Sequence, residues 1–124
     1  MARVLMATSY DEQFPADNIL SQPTREFWMS TGVYPQEILI QLTPAKSVRS
    51  IRFVSTKVRQ IVVEGSEGPH LGNFVKIGET EIGDSRDLQR ETVEINSTKV
   101  FQYVKFVIAS GWNDFVSIHS LRFE

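Results

Sequence analysis

The feature that most constrains the fold is a period-two alternation of apolar side chains, repeated in short runs along most of the chain. Ile38, Ile40 and Leu42 form one such set, alternating with Leu39 and Gln41. Further alternating runs cover residues 51–53, 58–64, 93–95, 104–108 and 116–123. Successive side chains of a β-strand point to opposite faces, so this pattern is typical of strands with one buried face. Because turn-forming residues separate the runs, we predict an all-β antiparallel β-sandwich or jelly roll of seven or eight short strands.

The length and composition predict one globular domain covering residues 1–124. The chain has 124 residues, of which 41% are hydrophobic and 23% charged. These values are close to ordinary globular usage, and a chain of this size can bury a single core. The sequence contains no internal repeat and no linker-like stretch, so nothing in it predicts a second domain.

The charge balance argues against several classes of partner. With 13 basic and 15 acidic residues the net charge is -2, whereas proteins that bind nucleic acid or anionic lipid concentrate Lys and Arg. No run reaches the roughly 18 apolar residues of a membrane span, and residues 1–7 are too short for a secretory signal. We therefore predict a cytoplasmic protein without a nucleic-acid ligand or a membrane span. The chain has no cysteine, which excludes disulfides and thiolate chemistry.

The inventory of reactive residues predicts that the protein is not an enzyme. Its two histidines are isolated: His70 lies in a Gly-rich turn and His119 lies within the last predicted strand. We expect a solvated turn for His70 and a packing or hydrogen-bonding role for His119. The stretch at residues 65–68 lacks the spacing of a nucleophile elbow, and no phosphate-binding Gly-rich loop is present.

Several motifs together resemble the intraflagellar transport protein 25 family. They are Ala-Thr-Ser-Tyr-Asp-Glu at residues 7–12, Asn-Ile-Leu at 18–20, Phe-Trp at 27–28, Thr-Gly-Val-Tyr-Pro-Gln-Glu at 31–37 and Asp-Phe-Val-Ser-Ile-His-Ser at 114–120. The motifs occur in order and cover nearly the whole chain, which makes the resemblance far more specific than one short motif.

The resemblance implies a fold, a partner and a location. It implies a galactose-binding or discoidin-like jelly roll that acts as a non-catalytic subunit of intraflagellar transport complex B. It also implies a heterodimer with a Rab-like small GTPase of the same complex, contacts with other complex B subunits, and localisation to the cilium or flagellum and the basal body. Family members commonly begin with one more strand, for which only residues 1–6 are available here, so we expect a short first strand.

A calcium loop of the family is only partly matched. Members often carry an Asp-Gly-Asn turn after the Asn-Ile-Leu segment and a Thr before Phe-Trp, and these groups hold calcium. Here residues 21–23 read Ser-Gln-Pro, and Glu26 precedes Phe27. One alternative is a calcium site formed by Asn18, Ser21, Glu26 and Glu124. The other is a loop closed by direct hydrogen bonds from Ser21 and Glu26 to the backbone, because calcium needs six to eight oxygens and a carboxylate is missing. No other cofactor is predicted.

Two segments are predicted to contact the protein partner. One precedes the first long strand and contains Tyr34, Pro35, Gln36 and Glu37, and the other is the turn containing Trp112 and Phe115. Trp112 either caps the end of the barrel or projects as an interface anchor, since Trp is enriched in such anchors. By contrast, the Phe-Trp pair at residues 27–28 is expected to fill the end of the core.

Fold alone never settles function, so two other classes remain open. A carbohydrate-binding module uses the same jelly roll, but such modules usually display loop aromatics with Arg or His and are mostly secreted. A small hydrolase is the third class, and the residue inventory gives it little support.

Overall fold

The computed structural model describes residues 2–8, 19–20, 27–30 and 33–124, and within them the chain forms nine β-strands. The strands are β1 (Ala2–Ala7), β2 (Trp28–Met29), β3 (Gln36–Ser47), β4 (Ser50–Thr56), β5 (Val58–Ser66), β6 (Val75–Glu81), β7 (Gln89–Glu94), β8 (Val100–Gly111) and β9 (Ser117–Phe123). The short first strand expected from the sequence is present as β1 and pairs with β3.

The strands form two antiparallel sheets packed face to face. One sheet has five strands in the order β1-β3-β8-β5-β6, and the other has four in the order β2-β9-β4-β7. Neighbouring strands come from distant parts of the sequence, as in a jelly roll. The predicted all-β antiparallel sandwich is therefore confirmed. No helix in the described part of the chain is long and apolar enough to cross a membrane.

The core lies between the sheets and is built from the alternating residues. Phe53 of β4 meets Phe106 of β8 edge to face, with the ring centres 5.4 Å apart. Trp28 is completely buried, so the prediction that it fills the core is confirmed. Burying a large apolar side chain contributes roughly 1.5–3 kcal/mol, which makes these aromatic residues major contributors to stability.

Leu39 departs from the simple alternation. It lies between two core residues of β3, so its side chain is on the outer face of the five-stranded sheet, yet it is only 5% exposed. The register explains the burial, because Leu39 is paired with Met6 of β1 on one side and with Lys105 of β8 on the other. Long neighbouring side chains on both flanks cover a residue that alternation alone assigns to solvent.

A buried glutamine organises the end of the sandwich where β4 turns into β5. The Gln89 side chain accepts hydrogen bonds from Ser55 Oγ (2.9 Å) and from the Val58 N–H (3.0 Å). Its amide nitrogen donates to the Val58 and Gly83 carbonyls at 2.9 and 3.2 Å. Lys57, between the two strands, has a left-handed backbone with φ 58°. The Gln89 hydrogen bonds satisfy buried polar groups of both β4 and β5, and they hold the tight connection between these strands in place.

Candidate functional site

The two segments predicted to contact a partner meet at one end of the sandwich. Tyr34 Oη donates a hydrogen bond to the Asn113 carbonyl oxygen at 2.5 Å. The Tyr34 ring also lies so close to Gly111 that a methyl group on that glycine would overlap it. The sequence alone did not indicate whether the two segments share a face. The structure shows that they do, and that Gly111 makes the close approach sterically feasible.

This end of the molecule presents apolar side chains to solvent. Val33 is 86% exposed, Phe115 57% and Trp112 41%, and Pro35 is also exposed. We call the set Val33, Tyr34, Pro35, Trp112 and Phe115 the loop-end surface. Single exposed apolar residues are ordinary, but several on adjoining segments are typical of an interaction site.

Trp112 combines the two roles that the sequence left open. Its indole Nε1 donates to the Ile82 carbonyl at 2.9 Å, and its backbone N–H donates to the Lys57 carbonyl at 2.7 Å. The Arg59 guanidinium lies over the ring, 4.8 Å from its centroid. The polar edge of Trp112 therefore caps the end of the sandwich, while part of the ring stays exposed in a fixed orientation.

Gln36 and Glu37 are less exposed than Val33 and Pro35 beside them. Gln36 is only 4% exposed. Its Oε1 accepts from Thr8 Oγ1 at 2.7 Å, and its Nε2 donates to the Val33 carbonyl at 2.6 Å. Gln36 thus supports the loop-end surface from beneath and is not part of the exposed surface, which corrects its predicted place. Glu37 is half-buried and lies 3.7 Å from Lys105 Nζ on the outer face of the five-stranded sheet.

The polar groups near the loop-end surface are largely engaged with one another. Lys57 Nζ lies 2.9 Å from Asp84 Oδ1. The hydrogen bond from Lys57 lowers the pKa of Asp84 below its usual value. Partial burial, together with the nearby charge of Asp114, raises the pKa of Tyr34. The tyrosine is therefore neutral at physiological pH and acts as a hydrogen-bond donor.

The predicted calcium loop falls mostly outside the described residues, because Asn18, Ser21 and Glu26 are not among them. Glu124 is described, and its carboxylate lies 3.4 Å from Arg52 Nε. Its backbone is tied to β4, with its carbonyl accepting from the Arg49 N–H at 2.7 Å. Residue 124 alone does not approach the six to eight oxygens that calcium requires, so the described residues do not by themselves form the site. Calcium binding stays a prediction.

The histidines have structural surroundings. His119 Nε2 is 2.9 Å from Ser117 Oγ, and its ring stacks on Phe27 with the centroids 4.8 Å apart. Ser117, which the sequence analysis did not single out, is 4% exposed and also bonds the Thr56 hydroxyl. These contacts are the packing and hydrogen-bonding surroundings that the sequence predicted for His119. His70 is exposed, as predicted. Within the described ranges, no three His, Cys, Asp or Glu side chains are close enough to share a metal ion.

Solved structures share this fold at low sequence identity. A Clostridium perfringens family 32 carbohydrate-binding module (CBM) solved with GalNAc-β-1,3-galactose superposes with a TM-score of 0.84 at 20% identity, covering 98% of this chain and 94% of that one. Another C. perfringens family 32 CBM, solved with galactose, has a TM-score of 0.82 at 19% identity, covering 98% and 92%. A chitosan-binding module from Paenibacillus has a TM-score of 0.82 at 17% identity, covering 100% and 93%. At these identities the likeness supports the fold alone.

The relatives found by sequence belong to a different class from these sugar-binding modules. No protein-family model matches the chain. Intraflagellar transport protein 25 of Chlamydomonas reinhardtii is 32% identical over 117 residues, which cover 94% of this chain but only 61% of that protein. The human homolog is 28% identical over 124 residues, covering 99% of this chain and 85% of the relative, and the mouse homolog is 28% identical over 122 residues, covering 98% and 85%. The resemblance found in the motifs is thus confirmed, because the chain is similar to intraflagellar transport protein 25 along nearly its whole length.

Proposed function

We propose that this chain is a non-catalytic protein-interaction subunit of intraflagellar transport complex B, acting in the cytoplasm and in the cilium or flagellum with its basal body. The proposal is supported by relatives that carry the name intraflagellar transport protein 25 in three organisms. The chain spans 61% of the length of the Chlamydomonas relative, so the proposed role concerns only the part of that protein that the chain matches. We also propose that residues 1–124 act as one domain.

The finer part of the proposal concerns the partner. The chain forms a heterodimer with a Rab-like small GTPase of the same complex, as the family resemblance implies, and uses the loop-end surface for this contact. The observation that carries the choice of surface is the exposure of Val33, Trp112 and Phe115 on segments joined by the Tyr34–Asn113 hydrogen bond. An apolar patch held in place before binding loses little conformational entropy on association.

The chemistry of the loop-end surface suits binding and not catalysis. The Tyr34 hydroxyl and the Trp112 N–H both donate to backbone carbonyls, and Lys57 and Asp84 neutralise each other. Groups engaged in this way fix the shape of the surface. The exposed apolar side chains are then the main contribution of the loop-end surface to affinity.

A carbohydrate-binding module is the competing function, because solved proteins with this fold bind galactose-containing ligands. Sugar recognition usually relies on an aromatic ring with an open face. In this chain Arg59 covers one face of the Trp112 ring at 4.8 Å, so a sugar that stacks on that face has to displace the guanidinium. This contact and the sequence relatives both favour the transport role.

Co-purification tests the proposal. The tagged chain is recovered from ciliated cells at moderate salt, and the bound proteins are identified by mass spectrometry for wild type, Phe115→Ala and Leu71→Ala. Leu71 is a matched control because it is also 57% exposed but lies in the β5–β6 loop, at the opposite end of the sandwich. Tyr34→Ala is a less suitable variant, because Tyr34 packs against the core and its truncation also lowers stability.

We expect wild type and Leu71→Ala to recover a Rab-like GTPase with other transport subunits, and Phe115→Ala to recover at least about tenfold less, the loss expected for an interface hot spot. Equal loss of GTPase recovery in Phe115→Ala and Leu71→Ala would show that the contact lies outside the loop-end surface, while the transport role would still hold. Recovery of the bait alone, together with binding of wild type to a glycan array, would refute the transport role in favour of carbohydrate binding.

A further inference from the structure

Strand β1 is an edge of the five-stranded sheet that presents apolar side chains to solvent. The sheet order places β3 on one side of β1 and no described strand on the other. Leu5 and Met6 of β1 are 38% and 54% exposed. The outer backbone groups of an edge strand have no ladder partner, so such an edge is a template for pairing with another chain. The proposed GTPase contact does not use this edge.

The opposite edge of the same sheet is protected by charge and by a neighbouring segment. Strand β6 exposes Lys76, Glu79 and Glu81. The Asn96 N–H, just after β7, donates to the Ile77 carbonyl of β6 at 2.7 Å. Charged side chains and cover by a neighbouring segment both disfavour pairing with another chain.

The edges of the four-stranded sheet are also poor sites for strand addition. Strand β7 exposes Arg90, Glu91 and Glu94, and β2 has only two residues, Trp28–Met29. Short edge strands and charged edge strands are both common protections against pairing. Among the edges that the structure describes, β1 alone combines several residues of length with exposed apolar side chains.

The charge on β1 does little to protect this strand. Arg3 is the only charged residue of β1, and its guanidinium donates to Gln41 Oε1 of β3 at 3.0 Å. The guanidinium is therefore directed toward its own sheet. If two copies of β1 pair antiparallel about Val4 or Leu5, each Arg3 is opposite an apolar residue and not opposite the other Arg3. The penalty for like charges on directly opposite residues is then avoided.

We propose that two copies of this chain associate through antiparallel pairing of their β1 strands, which joins the two five-stranded sheets edge to edge. Each copy contributes the six residues Ala2–Ala7, and a β-bulge between Val4 and Met6 interrupts the regular ladder. A contact this short buries less than the roughly 1,200 Å² of stable complexes, so the association is weak and depends on concentration.

Sedimentation equilibrium of the purified full chain tests this inference. Met6→Lys places a charge on the β1 edge while keeping an apolar stem beside Leu39. Val75→Lys is the matched control, because Val75 is 55% exposed and lies on β6, the opposite edge of the same sheet. Crosslinking with a short bismaleimide gives a second readout. Because the chain has no cysteine, Leu5→Cys and its control Val75→Cys each carry a single thiol.

We expect the average mass of wild type and Val75→Lys to rise toward twice the monomer mass between about 10 and 500 µM, as for a contact smaller than stable interfaces. Met6→Lys should associate at least about tenfold more weakly. Leu5→Cys should give a crosslinked dimer in much higher yield than Val75→Cys.

Three results would overturn the proposal: wild type that stays monomeric, equal weakening by both lysine variants, or equal crosslinking of both cysteine variants. Monomeric wild type whose Met6→Lys variant loses a transport subunit on co-purification would overturn it in favour of a strand supplied by a partner protein. The sedimentation assay contains this chain alone, so its outcome does not depend on the proposed transport role.

Discussion

The outer faces of the two sheets arrange their charges in opposite ways. On the five-stranded sheet, Lys105 Nζ lies between two carboxylates, 3.7 Å from Glu37 and 3.8 Å from Glu64, and it is 4.4 Å from the centre of the Phe74 ring. On the four-stranded sheet, the central pair is Arg52 opposite Arg122. One face places its lysine between two carboxylates, whereas the other places two arginines directly opposite each other.

The two sets of charges also differ in how far they are shielded from water. The Lys105 side chain is 23% exposed, and its carboxylate partners are 35% and 32% exposed, so this network is partly shielded from water. Arg52 is 64% exposed. Charges of opposite sign in a partly shielded network contribute more to stability than isolated exposed pairs do.

The largest effect in this comparison is expected for Lys105→Met. The methionine keeps an apolar stem over Phe74 but leaves Glu37 and Glu64 without the shared cation. Losing two ion pairs worth about 0.2–1 kcal/mol each, and a cation–π contact worth about 0.5–1 kcal/mol, should lower the free energy of unfolding by about 1–2 kcal/mol. Urea denaturation measures this loss.

Lys76→Met is the matched control for the stability of this face. Lys76 lies 3.2 Å from Glu79, but both side chains are more than half exposed, at 56% and 52%. Its replacement should cost less than about 0.5 kcal/mol. If the two lysine variants lose equal stability, the Lys105 network is no more than an ordinary surface pair, and the contrast between the faces disappears.

A smaller effect of opposite sign is expected for Thr92→Glu on the four-stranded sheet. Thr92 is paired with Arg52 in the β4–β7 register. A carboxylate directly opposite an arginine stabilises a sheet by about 0.2–1 kcal/mol. Compared with Thr92→Gln, which shares its size and strand propensity, Thr92→Glu should therefore unfold at a higher urea concentration in low salt.

Salt gives the check on this second prediction. At 1 M ionic strength the screening length falls to about 3 Å, so the advantage of Thr92→Glu over Thr92→Gln should vanish. A difference that persists at high salt would mean that packing or strand propensity causes it, and the charge of Arg52 would then be irrelevant to the effect.

The smallest change in stability is expected for Arg90→Gln. Arg90 is exposed and makes no ion pair within the described part of the chain, so the free energy of unfolding should change by less than about 0.5 kcal/mol. A loss of stability comparable to that of Lys105→Met would show that Arg90 supports the fold.

Much of the fold could be predicted because strand formation depends on local pattern. The alternation around Ile38, Ile40 and Leu42 predicted a strand with one buried face, and all three side chains are buried in β3. Trp28 was correctly predicted to be in the core. The same pattern misplaced Leu39, because its burial depends on β1 and β8, which flank β3 only in the folded sheet.

The candidate site was less predictable. Tyr34, Trp112 and Phe115 were identified from turn signals and aromatic character, and the structure places them at one end of the sandwich. Gln36 was predicted at the partner interface as part of the segment that enters the first long strand, but its amide is buried and hydrogen-bonded to Thr8 and Val33. Arg59 was missed, since nothing local signals its contact with the Trp112 ring. The turn signal that contains Gly111 likewise did not indicate its close approach to Tyr34.

The sequence by itself determined most of the strands, many of the core residues and the resemblance to a known family, because each depends on residue type and short-range spacing. Only the tertiary structure decided which side chains share a surface. Tyr34 and Asn113 are 79 residues apart in the chain and are joined by one hydrogen bond. Arg52, Arg90 and Arg122 lie on three different strands and meet through cross-strand register. Alternation specifies which face of a strand a residue occupies, but register, set by packing across the whole sandwich, specifies its neighbours.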